Sequence, residues 1–276
     1  GYWVKILSLG AGVQSSTLAL MAEHGEIEKP DCAIFADTQS EPEEVMEWLG
    51  YLETKLSFPV HRVTKGSLLN DSLVLRISKK YGGSVMATKI PAYVKNPDGS
   101  RGIFGRKCTT DYKVKVIEKK VKELLGINRF NKKRSVMCTQ YIGISADEAD
   151  REKPSFRSEI RHVYPLLDLG MTRQDCQNWM SNKGYPEPPK SACIMCPFHS
   201  DSEWDRLRNS DEWPAIVAYE KEIQRLAEID DVTRGIPFLH PSLIPIDEVV
   251  FKVRDKKHKL HQLNMFRNDC TGMCGV

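Results

Sequence analysis

Along the first third of the chain, apolar residues recur in two alternating rhythms. Trp3 to Leu9 alternates and runs apolar as a strand does, then breaks at Gly10-Ala11-Gly12. Ser15 to His24 continues with helix formers that stop at Gly25. Asp31 to Ala36 is a second short apolar run, ending in Asp37-Thr38. The segment after it, from Glu41, has an acidic first turn and apolar positions Val45, Trp48, Leu49 and Leu52 at helical spacing. Pro59 to Val63 predicts a third strand and Lys113 to Leu125 a basic amphipathic helix. Ser135 to Ser145 reads as a buried strand carrying Val136, Cys138, Tyr141 and Ile142, and Thr172 to Lys183 as a further helix. Strands that alternate with helices pair in parallel through right-handed crossovers. The expected fold class is therefore α/β, a doubly wound, mostly parallel sheet with helices on both faces and ligands at the carboxyl ends of its strands. The Gly-, Pro- and Lys-rich stretch from Gly82 to Arg106 is expected to form a mobile loop over that rim. Past Pro237 the pattern weakens, so the expected division is one α/β domain over 1–236 and a cysteine-containing tail over 237–276 that packs back on it.

Composition narrows the classes. With 276 residues, 41% of them hydrophobic, the chain can bury a substantial core. No run approaches the roughly 18 apolar residues of a membrane helix. The start, Gly1 to Leu20, lacks a basic flank and a cleavage pattern, so a cytoplasmic location away from any membrane is expected. In that setting the eight cysteines read as thiolate ligands or redox groups rather than as disulfides. The net charge of +3 conceals a concentration: Arg101 to Arg134 holds 12 Lys and Arg against 3 Asp and Glu. Such a block fits a solvated helix face or, equally, a surface for anions or nucleic acid.

The turn between the first strand and helix carries the first candidate chemistry. It reads Ser8-Leu9-Gly10-Ala11-Gly12-Val13-Gln14-Ser15-Ser16-Thr17. Small residues let backbone N–H groups close on an anion, the hydroxyls add donors, and the helix start contributes partial positive charge. No Gly-Lys-Ser/Thr follows, so it is not a Walker loop. The third glycine of the dinucleotide fingerprint is also missing.

This loop resembles the Ser-Gly-Gly-x-Asp-Ser phosphate loop of the N-type ATP pyrophosphatases and of their relatives, the PAPS and APS reductases. Gly12 and Ser16 match outright, and Ser15 stands where that family has aspartate. Three further motifs follow in order. Phe35-Ala36-Asp37-Thr38 with Glu41 and Glu44 resembles the family's second-strand signature. Gly143-Ile144-Ser145-Ala146-Asp147-Glu148-Ala149-Asp150-Arg151 resembles its Gly-x-Arg-x-Asp-Glu-Ser-x-x-Arg segment. Tyr164-Pro165-Leu166-Leu167-Asp168 resembles its Pro-Leu-x-Asp-Trp turn. The resemblance implies an adenine nucleotide alpha hydrolase-like fold. It also implies an adenine-nucleotide pocket built from Ser8, Gly10, Gly12, Gln14, Ser15, Ser16, Asp37, Thr38, Gly143, Asp147 and Glu148. Within it Asp37 would accept hydrogen bonds from an adenine amino group or a ribose hydroxyl. Asp147 and Glu148 would partner magnesium or orient Arg151, and Arg151 would pair with phosphate or sulfate as a fork. Asp37 and Asp168 can also be read as plain helix-entry caps.

The cysteines form a second constellation. Cys193-Ile194-Met195-Cys196-Pro197 is a close pair suited to two thiolates on one metal centre, and Cys108 lies 85 positions before it. APS-type reductases have a similar arrangement holding a 4Fe-4S cluster. Their tandem cysteine is Cys108-Thr109 here, which leaves the fourth ligand to Cys270 or Cys274, to His199, or to no protein group. A zinc site on Cys108, Cys193, Cys196 and a fourth ligand such as Cys274 is the alternative. Cys32, Cys138 and Cys176 read as small buried hydrophobes. The ending Asn268-Asp269-Cys270-Thr271-Gly272-Met273-Cys274 is similar to the Glu-Cys-Gly-x-His tail bearing the nucleophilic cysteine of sulfonucleotide reductases. Cys270 and Cys274 are thus, with Arg151, the candidate catalytic residues; a redox pair, a metal clip or a sulfur carrier all suit two thiols four apart.

Three functions follow from these readings. In the first, PAPS or APS is reduced to sulfite with a thioredoxin-like protein closing the cycle. In the second, ATP is split to adenylate or thiolate a nucleobase or other acceptor, the basic run from Arg101 to Arg134 binding nucleic acid. In the third, a nucleotide-binding module has kept the fold without the chemistry.

Overall fold

In the computed structural model, residues 3–87, 89–105, 107–131 and 137–253 are described. The elements are β1 (Val4–Ser8), α1 (Val13–Glu23), β2 (Cys32–Asp37), α2 (Glu43–Lys55), β3 (Val60–Thr64), α3 (Leu68–Ser72), β4 (Leu75–Ile77), β5 (Ser84–Met86), β6 (Tyr93–Lys95), β7 (Arg101–Ile103), α4 (Lys115–Leu124), β8 (Cys138–Tyr141), β9 (Ile160–Val163), α5 (Pro165–Asp168), α6 (Arg173–Asn182), α7 (Asp201–Arg208), α8 (Trp213–Glu228) and β10 (Ile236–Phe238). A π-helical turn, Thr110–Val114, leads into α4, and a 3-10 turn, Ala146–Arg151, follows β8. Contacts divide these residues into two compact units. Among the described residues, one holds 3–65 together with Thr109–Ser191; the other holds Gly66–Cys108 and 192–253.

The first unit is a doubly wound α/β layer structure. Its five strands are all parallel, in the order β3-β2-β1-β8-β9. Alternation along the strands feeds two cores. Leu7, Leu9, Ala33, Phe35 and Tyr141 pack on one face against α1, α2 and α6, through Leu18, Trp48, Leu49, Leu52 and Met180. Val4, Ile6, Ile34 and Ile160 pack on the other against Ile117 and Val121 of α4. Helices on both faces are what the sequence pattern predicted. Every residue of α1 from Val13 to Ala22 is buried, which accounts for its lack of a polar stripe. The helix stops at Gly25, whose φ of 74° suits glycine. Cys32, Cys138 and Cys176 are buried in this core, as expected. Burial pushes their thiols up to about 11, 12 and 12 respectively, so they stay neutral and inert.

The second unit corrects one expectation. The stretch from Gly82 to Arg106 is not a simple loop, because it carries β5, β6 and β7. β4 and β5 form an antiparallel pair, and β6 lies between β7 and β10 in an antiparallel three-stranded sheet. The Asn96-Pro97-Asp98-Gly99 turn between β6 and β7 explains the Gly and Pro content as hairpin chemistry. β10 spans the position where the sequence suggested a boundary between domain and tail, and it pairs there with β6. Buried Glu220 of α8 ties the following segment down, its two oxygens accepting from the Leu239 and Ile246 amides at 2.7 and 2.6 Å. Trp204 of α7 is fully buried in the same unit. No helix among the described residues is long and apolar enough to cross a membrane.

Candidate functional site

The winding of the first unit reverses between β1 and β8, and loops leaving adjacent strands in opposite directions open a crevice at their carboxyl ends. The β1–α1 turn is one wall. Within it the Gly10 amide donates to Ser15 Oγ at 3.1 Å, and Ser191 Oγ donates to the Gly10 carbonyl. Trp48 Nε1 donates to Ser16 Oγ at 2.9 Å, so the Ser16 hydroxyl proton remains available to a ligand. α1 is N-capped by Gly12, with no side-chain cap and no acidic residue in its first turn, leaving its positive end unneutralised. Ala11 holds φ at 59°, a left-handed conformation that disfavours a Cβ. Ala11→Gly is therefore expected to stabilise the fold by about 0.5 to 1 kcal/mol, the relieved strain exceeding glycine's added unfolded-state entropy. Urea unfolding of the two proteins checks it.

The other wall is the segment after β8. A Cβ built on Gly143 would lie 3.0 Å from the Ser15 amide nitrogen and 3.1 Å from Ser15 Cα, so only glycine lets this segment close on the first turn of α1. Gln14 Nε2 lies 3.4 Å from both Ser145 Oγ and Glu148 Oε2. Arg151 Nη1 donates to Glu148 Oε1 at 2.9 Å. Burial pushes the Glu148 carboxyl pKa up, and the Arg151 charge opposes this. From the start of α6, Arg173 Nη1 donates to Gln14 Oε1 at 3.1 Å, and its backbone amide donates to Asp147 Oδ1 at 3.0 Å. Gln14, Gly143, Asp147, Glu148 and Arg151, all singled out in the sequence, are thus brought together. Arg173 was not singled out. Its signal is electrostatic, a cation on the first residue of a helix, where the helix dipole disfavours one.

At the end of β2, Asp37 Oδ1 accepts from the Gln39 amide at 2.7 Å. Thr38 Oγ1 donates to Glu41 Oε1 at 3.2 Å, and the same oxygen accepts from Lys113 Nζ at 3.3 Å. Both side chains of this ion pair are buried, 7% and 1% exposed for Lys113 and Glu41. Thr109, Lys113, Ile117 and Val121 follow one another at four-residue spacing, so a single stripe turns from apolar to polar toward the N-terminal end of the helix. Asp37 does not cap α2, whose N-cap is Pro42. The buried hydroxyls of Ser8, Ser40 and Thr109 have no hydrogen-bond partner among the described residues. Buried hydroxyls in that condition commonly serve a water or a ligand.

Cys108, Cys193 and Cys196 fall in the second unit. The Cys196 amide donates to the Cys193 carbonyl at 2.9 Å, forming a tight turn, and His199 Nε2 lies 3.0 Å from that carbonyl. Burial raises the pKa of the Tyr219 and Tyr93 hydroxyls in the same unit. The donor chemistry suits a soft metal. Even so, among the described residues no three His, Cys, Asp or Glu side chains are grouped to hold a metal ion. Cys270 and Cys274, proposed as nucleophile, resolving thiol or fourth ligand, lie outside the described residues, as do Arg106 and residues 132–134 of the basic segment.

No protein-family model matches the chain, and no curated protein matches it significantly. Among solved structures, the phosphoadenylyl-sulfate (PAPS) reductase from Candida auris, in a phosphate complex, is a structural neighbour. The match has 14% identity and a TM-score of 0.41, and covers 68% of this chain and 76% of that one.

Proposed function

We propose that this chain binds an adenine nucleotide with its phosphate on the Gly10 to Ser16 turn and uses cysteine thiols for sulfur chemistry, as a sulfonucleotide reductase. The observation carrying this reading is the closure of two loops at the reversal of strand order, tightest where Gly143 meets the Ser15 backbone. Backbone amides and the Ser16 hydroxyl hold the phosphate, and Asp37 accepts from the adenosine. The Cys270 thiolate attacks the sulfate sulfur of PAPS or APS. An S–S bond forms, the S–O bond to the nucleotide phosphate breaks, and the nucleotide leaves with the electron pair. Cys274, or a thiol of a thioredoxin-like partner, then attacks the Cys270 sulfur of the thiosulfonate. Sulfite is released and a disulfide remains, to be reduced by that partner. Cys108, Cys193 and Cys196 are the proposed ligands of a 4Fe-4S cluster, or of zinc, with Cys274 the fourth where the partner's thiol is the one that resolves the thiosulfonate. Iron and zinc analysis of anaerobically purified protein separates the two.

A second reading, ATP-dependent adenylation or sulfur transfer to a nucleobase, draws support from the exposed Lys115 and Lys119 on α4, part of the basic segment. Supplying labelled PAPS, APS and ATP separately distinguishes these readings. Sulfite from PAPS or APS, lost in Cys270→Ser, is the expected result. AMP with pyrophosphate from ATP would favour the second reading, and binding without turnover a non-catalytic module.

A further inference from the structure

Of the two carboxylates that the sequence suggested as magnesium ligands, buried Glu148 is engaged on both oxygens, and exposed Asp147 on one. Asp147 accepts the backbone amide of Arg173, while Glu148 accepts Arg151 on one oxygen and faces Gln14 with the other. A divalent ion there would have to displace a guanidinium from a carboxylate that is only 7% exposed. The positive charge near the cradle comes instead from a different element. Arg173 reaches from α6 to the second residue of α1 and donates to the Gln14 side-chain oxygen, Oε1. That bond settles which way the Gln14 amide points, with its NH2 toward Ser145 and Glu148. A half-buried guanidinium acts through less screening than a surface one.

We propose that Arg173 is a positioning residue for the nucleotide phosphate, fixing Gln14 and supplying the charge there in place of a divalent cation on Asp147 and Glu148. The inference rests on the nucleotide reading above and extends it to how the phosphate is held. Binding is then independent of magnesium, and the guanidinium discriminates a phosphorylated nucleoside from its unphosphorylated parent.

The test is calorimetric titration of the full-length wild-type protein, Arg173→Met and Arg173→Lys with AMP and with adenosine, in EDTA and in magnesium. Thermal melts confirm that each variant is folded. Wild-type affinity for AMP is expected to be the same in both buffers. Arg173→Met is expected to weaken AMP by about tenfold to a hundredfold and to leave adenosine unchanged, with Arg173→Lys recovering part of the loss. AMP binding that requires magnesium, or an equal loss of AMP and adenosine in Arg173→Met, overturns the proposal while leaving the nucleotide site standing. Wild-type protein that binds neither compound removes the nucleotide reading itself. If Arg173→Met does not fold, Arg173→Lys and the EDTA comparison still decide the matter, since full magnesium dependence in the wild type alone is enough to refute it.

Discussion

Lys113→Met will destabilise the protein by about 3–5 kcal/mol, because the substitution removes a buried cation from beside a carboxylate that has little access to water. Glu41 keeps only 1% of its side chain exposed, and Lys113 Nζ stands 3.3 Å from its Oε1. Two charges taken out of water are tolerated when each meets the other and loses heavily when one is removed. Replacing both removes the burden on both sides, so Lys113→Met combined with Glu41→Leu should recover most of the loss. Urea unfolding of the two single variants and the double variant gives the coupling directly. Additive single effects would show that the pair does not act as a unit. Since the pair joins the end of β2 to the turn leading into α4, a loosened pair should also weaken ligand binding at that edge.

Gly143→Val is expected to abolish measurable AMP binding while the chain still folds, at a cost of roughly 1–3 kcal/mol from overpacking. The contact is with backbone, 3.0 Å to the Ser15 nitrogen and 3.3 Å to the Gln14 carbonyl carbon, so no side chain can swing aside. α1 offers no slack either, being buried along its whole length from Val13 to Ala22. The strain falls on the first turn of α1 and on the hydrogen bonds linking Gln14 to Ser145 and Glu148. Gly143→Ala should lie between wild type and Gly143→Val in both affinity and urea midpoint. Wild-type affinity for AMP in Gly143→Val would separate this turn from any nucleotide site.

Much of the site was readable before folding because it is built from loops that follow strands. Gly10, Gly12, Ser15 and Ser16 occupy a turn whose place after a strand suggested an anion cradle. Gly143, Asp147 and Glu148 hold the same place after β8. What escaped is carried by single side chains with no local pattern. Arg173 meets Gln14 across 159 positions and Lys113 meets Glu41 across 72. The stretch from Gly82 to Arg106 escaped for another reason, since strands of three residues are too short to show a period, and its turn residues then dominate the reading.

The order of apolar runs and glycine turns determined by itself that strands and helices would alternate into a parallel, two-sided sheet, because periodicity is a local property that burial enforces residue by residue. Tertiary structure alone decided which charges face one another at the crevice, and that Gly66–Cys108 joins residues 192–253 in a separate unit. Those outcomes depend on segments far apart in the chain, and a buried charge or an open strand edge is satisfied by whichever partner the fold delivers.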